Sequence, residues 1–313
     1  MRSLRRLFGG RGQRRVRGDT DAGFIEVPPG EANPLAKSWL EPHLAIAPEA
    51  PAARPVLWIF LAGSFGRPTR QTAILRSMAE CGHWALNLRY PNDWTINGLA
   101  RNDPDPAIHE KLRLQVLDGR SRAAKPLPMQ PHDSIMARLA SALKWLATRH
   151  PEGGWNQFVG SAEPHWDRIA AAGHSQGGGH AAILAREITL QRVVMLASPH
   201  DLLPNGSPAP WMLDTGMTPM DRYFGFAHTE DHGFAKIDVA WQALEMDRPH
   251  GIAQVDGHDA PYGGARALVT SQKVPEGRYH GSVAVDRFTP MGASGEPIYA
   301  AVWEYLFSLC KSE

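Results

Sequence analysis

The stretch AAAGHSQGGGHAA, residues 170–182, sets one serine, Ser175, among glycines directly after a run of small apolar residues. A serine hydroxyl is a poor nucleophile in water. It becomes a useful one when a tight turn holds it out, near a base that takes its proton and near N–H groups that stabilise an oxyanion. The order Gly173-His174-Ser175-Gln176-Gly177 fits Gly-x-Ser-x-Gly, and the apolar run before it and small residues after it predict strand, turn and helix. Gly173 and Gly177 remove the side chains that would block such a bend. A phosphate-binding loop is the rival reading, but no lysine follows the glycines and the Gly-x-Gly-x-x-Gly spacing is absent.

A nucleophile on a turn needs a sheet behind it. Short apolar runs at 56–63, 83–90, 168–175, 192–199, 222–229 and 265–271 each read as a buried strand closed by turn residues. Uniformly apolar runs fit a sheet covered on both faces. Between them, residues 133–150 place Ile135, Leu139, Ala142, Leu143 and Leu146 on one helical face, with Asp133 or Ser134 as cap. Near the end, Ile298, Ala301, Val302, Tyr305 and Leu309 form a second face, with Pro297 suited to the first helical position. The alternation predicts an α/β fold with a mostly parallel central sheet and helices on both faces. Residues 91–132 and 200–221 break the rhythm and read as lid-like insertions beside a substrate site. We expect one domain over 21–313 after a disordered arginine-rich tail at 1–20.

The elbow and the order of elements over 56–310 resemble the α/β-hydrolase superfamily, in particular bacterial esterase-like and lipase-like members with a Gly-His-Ser-Gln-Gly elbow. The resemblance implies an α/β-hydrolase fold, an acid after a strand that follows the nucleophile, and a histidine after the last strand. The first position holds Glu230 and Asp231. Asp231 is the choice, because a short side chain suits a fixed turn, and Glu230 is the alternative. The second holds His280, whose imidazole would take the proton from Ser175 and return it to the leaving group; His258, before the last strand, is the runner-up. The oxyanion hole would use the N–H of Gln176 and one from Ser64 or Phe65 in FLAGSFGRP. The loop lacks the His-Gly pair common in the superfamily.

These residues predict a serine hydrolase of carboxylic esters acting through an acyl-enzyme on Ser175, with no cofactor. An amidase or an acyltransferase would use the same triad, and a ligand-binding protein of the same fold is the non-catalytic alternative. His174, Trp211 and Met212 are expected in the substrate pocket, whose apolar and aromatic character favours an uncharged ester. His180 also flanks the elbow. His228 and His232 are four apart, but on a strand-to-loop segment that spacing does not put both rings on one face, so no metal is expected.

The 313-residue chain is 43% apolar with net charge +1, yet its first residues, MRSLRRLFGGRGQRRVRG, carry seven arginines and no acid, leaving the body mildly acidic. Such a tail, glycine-rich and without interleaved aromatics, is not a nucleic-acid footprint, and the body has no basic stripe. A small-molecule ester is therefore the expected partner, and nucleic acid is not. No run approaches a membrane span and no secretory apolar stretch is present, so a cytoplasmic location is expected. The two cysteines, Cys81 and Cys310, have no metal-ligand spacing and read as packing residues.

Overall fold

The computed structural model describes residues 23–309; the arginine-rich tail and Cys310 lie outside them. Nine strands form one sheet: β1 (Ile25–Val27), β2 (His43–Ile46), β3 (Leu57–Leu61), β4 (Trp84–Leu88), β5 (Ile169–His174), β6 (Val193–Leu196), β7 (Tyr223–His228), β8 (Ile252–Gln254) and β9 (Ala267–Thr270). Their order is β1-β2-β4-β3-β5-β6-β7-β9-β8. The β1–β2 and β2–β4 pairings are antiparallel and the rest parallel. Every residue of β3 to β7 and of β9 is buried, which requires cover on both faces of the sheet.

The helices supply that cover in two groups. α2 (Thr72–Glu80) packs with α9 (Ala300–Phe307). On the other side, α4 (Ile108–Asp118), α5 (Ile135–Arg149) and α6 (Gln176–Glu187) pack in series, joined by α1 (Pro29–Ala32) on α5 and α3 (Ile96–Ala100) on α4. α7 (Phe234–Ala243) and the short α8 (Tyr279–Ser282) both pack on β7. The α/β sheet expected from the sequence is therefore present, and all six expected strands are in it.

α5 is the expected amphipathic helix. Ile135, Leu139, Ala142, Leu143 and Leu146 are all buried, and Ser134 Oγ caps the first turn by accepting from Ala137 N–H at 3.3 Å. Asp133 is not the cap; its Oδ1 accepts from Arg138 Nη2 at 2.7 Å. The last helix departs from expectation. Pro297 pairs in a β-bridge with Met291, and α9 starts only at Ala300. Its buried face is Val302, Trp303, Leu306 and Phe307, while Ile298 and Ala301 are exposed.

The two segments expected as lids each contribute some buried residues, Trp211 and Met212 among them. Leu112, Val116 and Leu117 of α4 are buried, so residues 91–132 contribute core as well as surface. No helix among the described residues is long and apolar enough to cross a membrane.

Candidate active site

Ser175 lies at the turn between β5 and α6, at the carboxyl end of a central parallel strand. Its backbone has φ 55° and ψ −123°, a strained region for a residue with a Cβ. The bend is held by Ser175 N–H donating to Leu196 O at 2.8 Å and Gly178 N–H donating to Ser175 O at 3.1 Å. The flanking glycines are sterically required. A Cβ on Gly173 would lie 2.3 Å from the Gly177 carbonyl carbon, and one on Gly177 would lie 2.0 Å from Leu61 O.

Asp231 follows β7 by three residues, and His280 stands in α8 beyond β9. They meet across the sheet top: His280 Nδ1–H donates to Asp231 Oδ2 at 2.6 Å. Asp231 is fully buried at its side chain, and its Oδ1 accepts from Gly233 N–H at 2.9 Å. Burial pushes the Asp231 carboxyl up, but the hydrogen bond and charge of His280, Gly233 N–H and His200 outweigh it and hold it below the ordinary carboxylate range. Glu230 is exposed, and His258 is exposed with Nδ1 against Asp256 O, so neither alternative joins this pair.

Three further histidines surround His280. His174 donates Nε2–H to the His280 carbonyl at 2.9 Å, and its ring centroid is 4.9 Å from that of His280. Burial, reinforced by His280, lowers His174 to about 3, so its ring is neutral near neutral pH. His200 was not singled out from sequence, although it stands directly after the β6 end in the string Ser198-Pro199-His200-Asp201. Its ring centroid is 5.6 Å from that of His280, and burial lowers it to about 4. Its Nε2 is buried without a partner and faces Gly233, where a Cβ would lie 2.4 Å away. His232 is the exposed third, with Nδ1 3.2 Å from Asp231 Oδ1.

Ser175 Oγ makes no hydrogen bond among the described residues, but His280 is anchored to the residue beside it through His174. Gly63 closes the other side, since a Cβ there would be 3.0 Å from Ser175 Cβ. The loop after β3 is rigidly held: Tyr90 Oη donates to Ala62 O, and Asn92 Nδ2 donates to Gly63 O at 2.7 Å and to Gly66 O at 3.2 Å. The structure separates the two oxyanion candidates in this loop. Phe65 N–H is spent on Asn92 O at 2.8 Å, whereas Ser64 and Gln176 have backbone N–H groups with no partner among the described residues. Gln176 also works through its side chain, accepting at Oε1 from Ile96 N–H at 2.8 Å and from Ser64 Oγ at 3.1 Å. That clamp joins the elbow, the loop after β3 and α3.

Trp211 and Met212, expected in the pocket wall, are core residues at 2% and 1% exposure, and Trp211 Nε1 donates to Asp201 Oδ2 at 3.1 Å. The cavity that His200 lines is walled otherwise. It measures about 570 Å³, within the usual range for ligand pockets, and lies between residues 97–109 and 200–206, with Lys236 of α7 also lining it.

His200, Asp231 and His280 each bring one ligand atom within 4.8 Å of the others, the geometry of a candidate metal group. Asp231 Oδ2 is already engaged by His280 at 2.6 Å, so a metal would have to displace the bond that orients the base. His228 offers no open nitrogen: its Nε2–H donates to Gln272 O at 2.7 Å and its Nδ1 accepts from Glu230 N–H at 3.0 Å.

A largely parallel sheet covered by helices, with Ser175 on the strained turn between β5 and α6, is the arrangement the sequence led us to expect. No protein-family model and no curated protein matches the chain. Among solved structures, esterase 2 of Thermogutta terrifontis, phosphoramylated by tabun, aligns at 15% identity over 91% of both chains with a TM-score of 0.44. Esterase B from Lactobacillus rhamnosis, inhibited by a tributyrin phosphonate, aligns at 11% identity over 79% of this chain and 74% of its own, with a TM-score of 0.42. A hormone-sensitive lipase from a metagenome library aligns at 13% identity over 73% of this chain and 71% of its own, with a TM-score of 0.37.

Proposed function

We propose that the protein is a serine hydrolase of carboxylic esters, with Ser175 as nucleophile, His280 as general base and Asp231 as the acid that orients it. The observation that carries this reading is the 2.6 Å Asp231–His280 bond, held by His174 against the strained turn that presents Ser175. Ser175 Oγ attacks the ester carbonyl as its proton passes to His280 Nε2, and the charge that develops on the carbonyl oxygen is met by the N–H groups of Gln176 and Ser64. His280 then gives the proton to the departing alkoxide, which leaves as the alcohol. Water, deprotonated by the same nitrogen, attacks the acyl-enzyme and releases the acid. Asp231 keeps the proton on Nδ1 and stabilises the imidazolium; it does not itself become protonated.

The test is covalent labelling with a fluorophosphonate at neutral pH, followed by peptide mass spectrometry. The reading requires stoichiometric modification of Ser175, none in Ser175→Ala, and a rate greatly slowed in a folded His280→Ala protein. A folded wild-type protein that takes no label, with hydrolysis of simple esters also absent, would point to the non-catalytic binding protein.

A further inference from the structure

The sequence leads one to expect an apolar pocket and an uncharged ester, but the cavity beside His200 mixes apolar side chains, among them Ile108, Leu202 and Leu203, with charged ones. Three separate segments converge there: Arg101 from the end of α3, His109 from α4 with the adjoining loop, and Lys236 from the first turn of α7. Arg101 and Lys236 are exposed, and neither has an ion-pair partner among the described residues. The acids on the same wall do not cancel them. Asp105 is held by Lys111 Nζ at 2.5 Å, which leaves Asp103 as the one acid without an ion-pair partner. The wall thus carries a net positive charge of about one unit, the match for a carboxylate more than for a dianionic phosphate.

Lys236 reinforces the point. A cation in the first turn of a helix adds to the positive end of the helix dipole, and α7 has no acid in that turn to offset it. Two lining residues also hold buried polar atoms without a partner among the described residues, Asn97 Oδ1 and His109 Nδ1. Such groups are costly in an apolar site and become useful when a polar ligand enters.

Resting on the hydrolase reading above, we infer that this cavity is the subsite for a carboxylate carried by the ester substrate, with Arg101 and Lys236 as its counter-charges. His200 ties the subsite to the chemistry, because it lines the cavity and its ring lies 5.6 Å from that of His280. A monoester of a small dicarboxylic acid carries both groups, a carboxylate for the subsite and an ester for Ser175.

The experiment uses the full chain with Ser175→Ala, so that ligands bind without turnover. Calorimetric titration compares monoethyl succinate with the uncharged ethyl butyrate. The inference expects the charged ester to bind roughly tenfold tighter or more, a preference that shrinks as salt rises from about 0.05 to about 0.5 M. The double variant Arg101→Gln/Lys236→Gln, at exposed positions, should bring the two affinities together, and Lys236→Glu alone should reverse part of the preference. Equal binding of the two esters, or a preference indifferent to salt and to these substitutions, overturns the inference. Labelling of Ser175 reports on the hydrolase reading separately. Anion preference without labelling retains the subsite and removes the hydrolase, whereas labelling without anion preference does the reverse.

Discussion

Arg113 grips both carboxylate oxygens of Asp201, Nε to Oδ2 and Nη2 to Oδ1 at 2.6 Å each, and both side chains are essentially fully buried. The remaining guanidinium nitrogen, Nη1, donates to Gln176 O at 2.9 Å, so one ion pair joins α4, the segment after β6 and the first residue of the elbow helix. The fork needs room, and Gly179 provides it, since a Cβ there would lie 2.4 Å from the guanidinium. The Arg113 charge and hydrogen bonds, with Trp211 Nε1–H, outweigh the effect of burial on Asp201 and hold its carboxyl down at about 2. Arg113→Met leaves that carboxylate buried and unpaired, which costs about 3–5 kcal/mol in urea unfolding. Arg113→Met/Asp201→Leu should recover most of that loss, because a buried ion pair is worth little over well-packed apolar residues. A double variant no more stable than the single one would show that the pair contributes more than mutual neutralisation.

Strain at Ser175 gives the second prediction. A residue with a Cβ at φ 55° and ψ −123° costs about 1–3 kcal/mol relative to glycine. Ser175→Gly should therefore raise unfolding stability by about 1 kcal/mol while abolishing fluorophosphonate labelling. Ser175→Ala keeps the Cβ and so keeps the strain; it should lose labelling with little gain in stability. Equal stabilisation by the two variants would trace the effect to the hydroxyl and not to the backbone.

What could be read from the sequence was local. The elbow is spelled out within five consecutive residues, and the six strands expected from the sequence are mostly apolar because they are buried on both faces. The edge strands β1 and β8 have three residues each with partly exposed positions, and only pairing with a neighbour makes them strands. The Asp231–His280 pair spans 49 positions, and order along the chain alone suggested it. No such rule points to Arg113, which lies on α4 in a segment that reads as a lid-like insertion, 88 positions from its partner Asp201. Trp211 and Met212 were misplaced for a related reason: an apolar residue in an insertion can wall a pocket or fill the core, and only the fold decides. Pro297 misled because it can open a helix or end a bridge with equal ease.

Asp231→Asn tests the orienting acid. The amide cannot stabilise an imidazolium and favours the wrong His280 tautomer, so kcat should fall by about 10³–10⁴-fold with KM little changed. Glu230→Gln, at an exposed position one residue away, should leave kcat within about twofold. A large loss at Glu230 with a small one at Asp231 would exchange the two assignments. Circular dichroism at matched pH distinguishes lost chemistry from lost structure.

The histidines predict how stability depends on pH. Burial holds His43 and His174 at about 3 and His83 and His200 at about 4, against 6.5 in an unfolded chain. A depressed histidine leaves the folded state uncharged where the unfolded chain already binds a proton. Its contribution is therefore complete above 6.5 and is lost progressively as pH falls towards the folded values. Each group fully within its window adds a slope of up to about 1.4 kcal/mol per pH unit. The loss should begin between about pH 6.5 and 5, before carboxylates of ordinary pKa start to titrate. Urea unfolding across that window reads it directly. His43→Gln should flatten the slope by one proton if its amide oxygen takes over the hydrogen bond that His43 Nδ1 accepts from Arg89 N–H at 2.8 Å. Stability that stays level from about pH 7 to 5 would mean that these rings are protonated in the folded state as readily as in the unfolded chain.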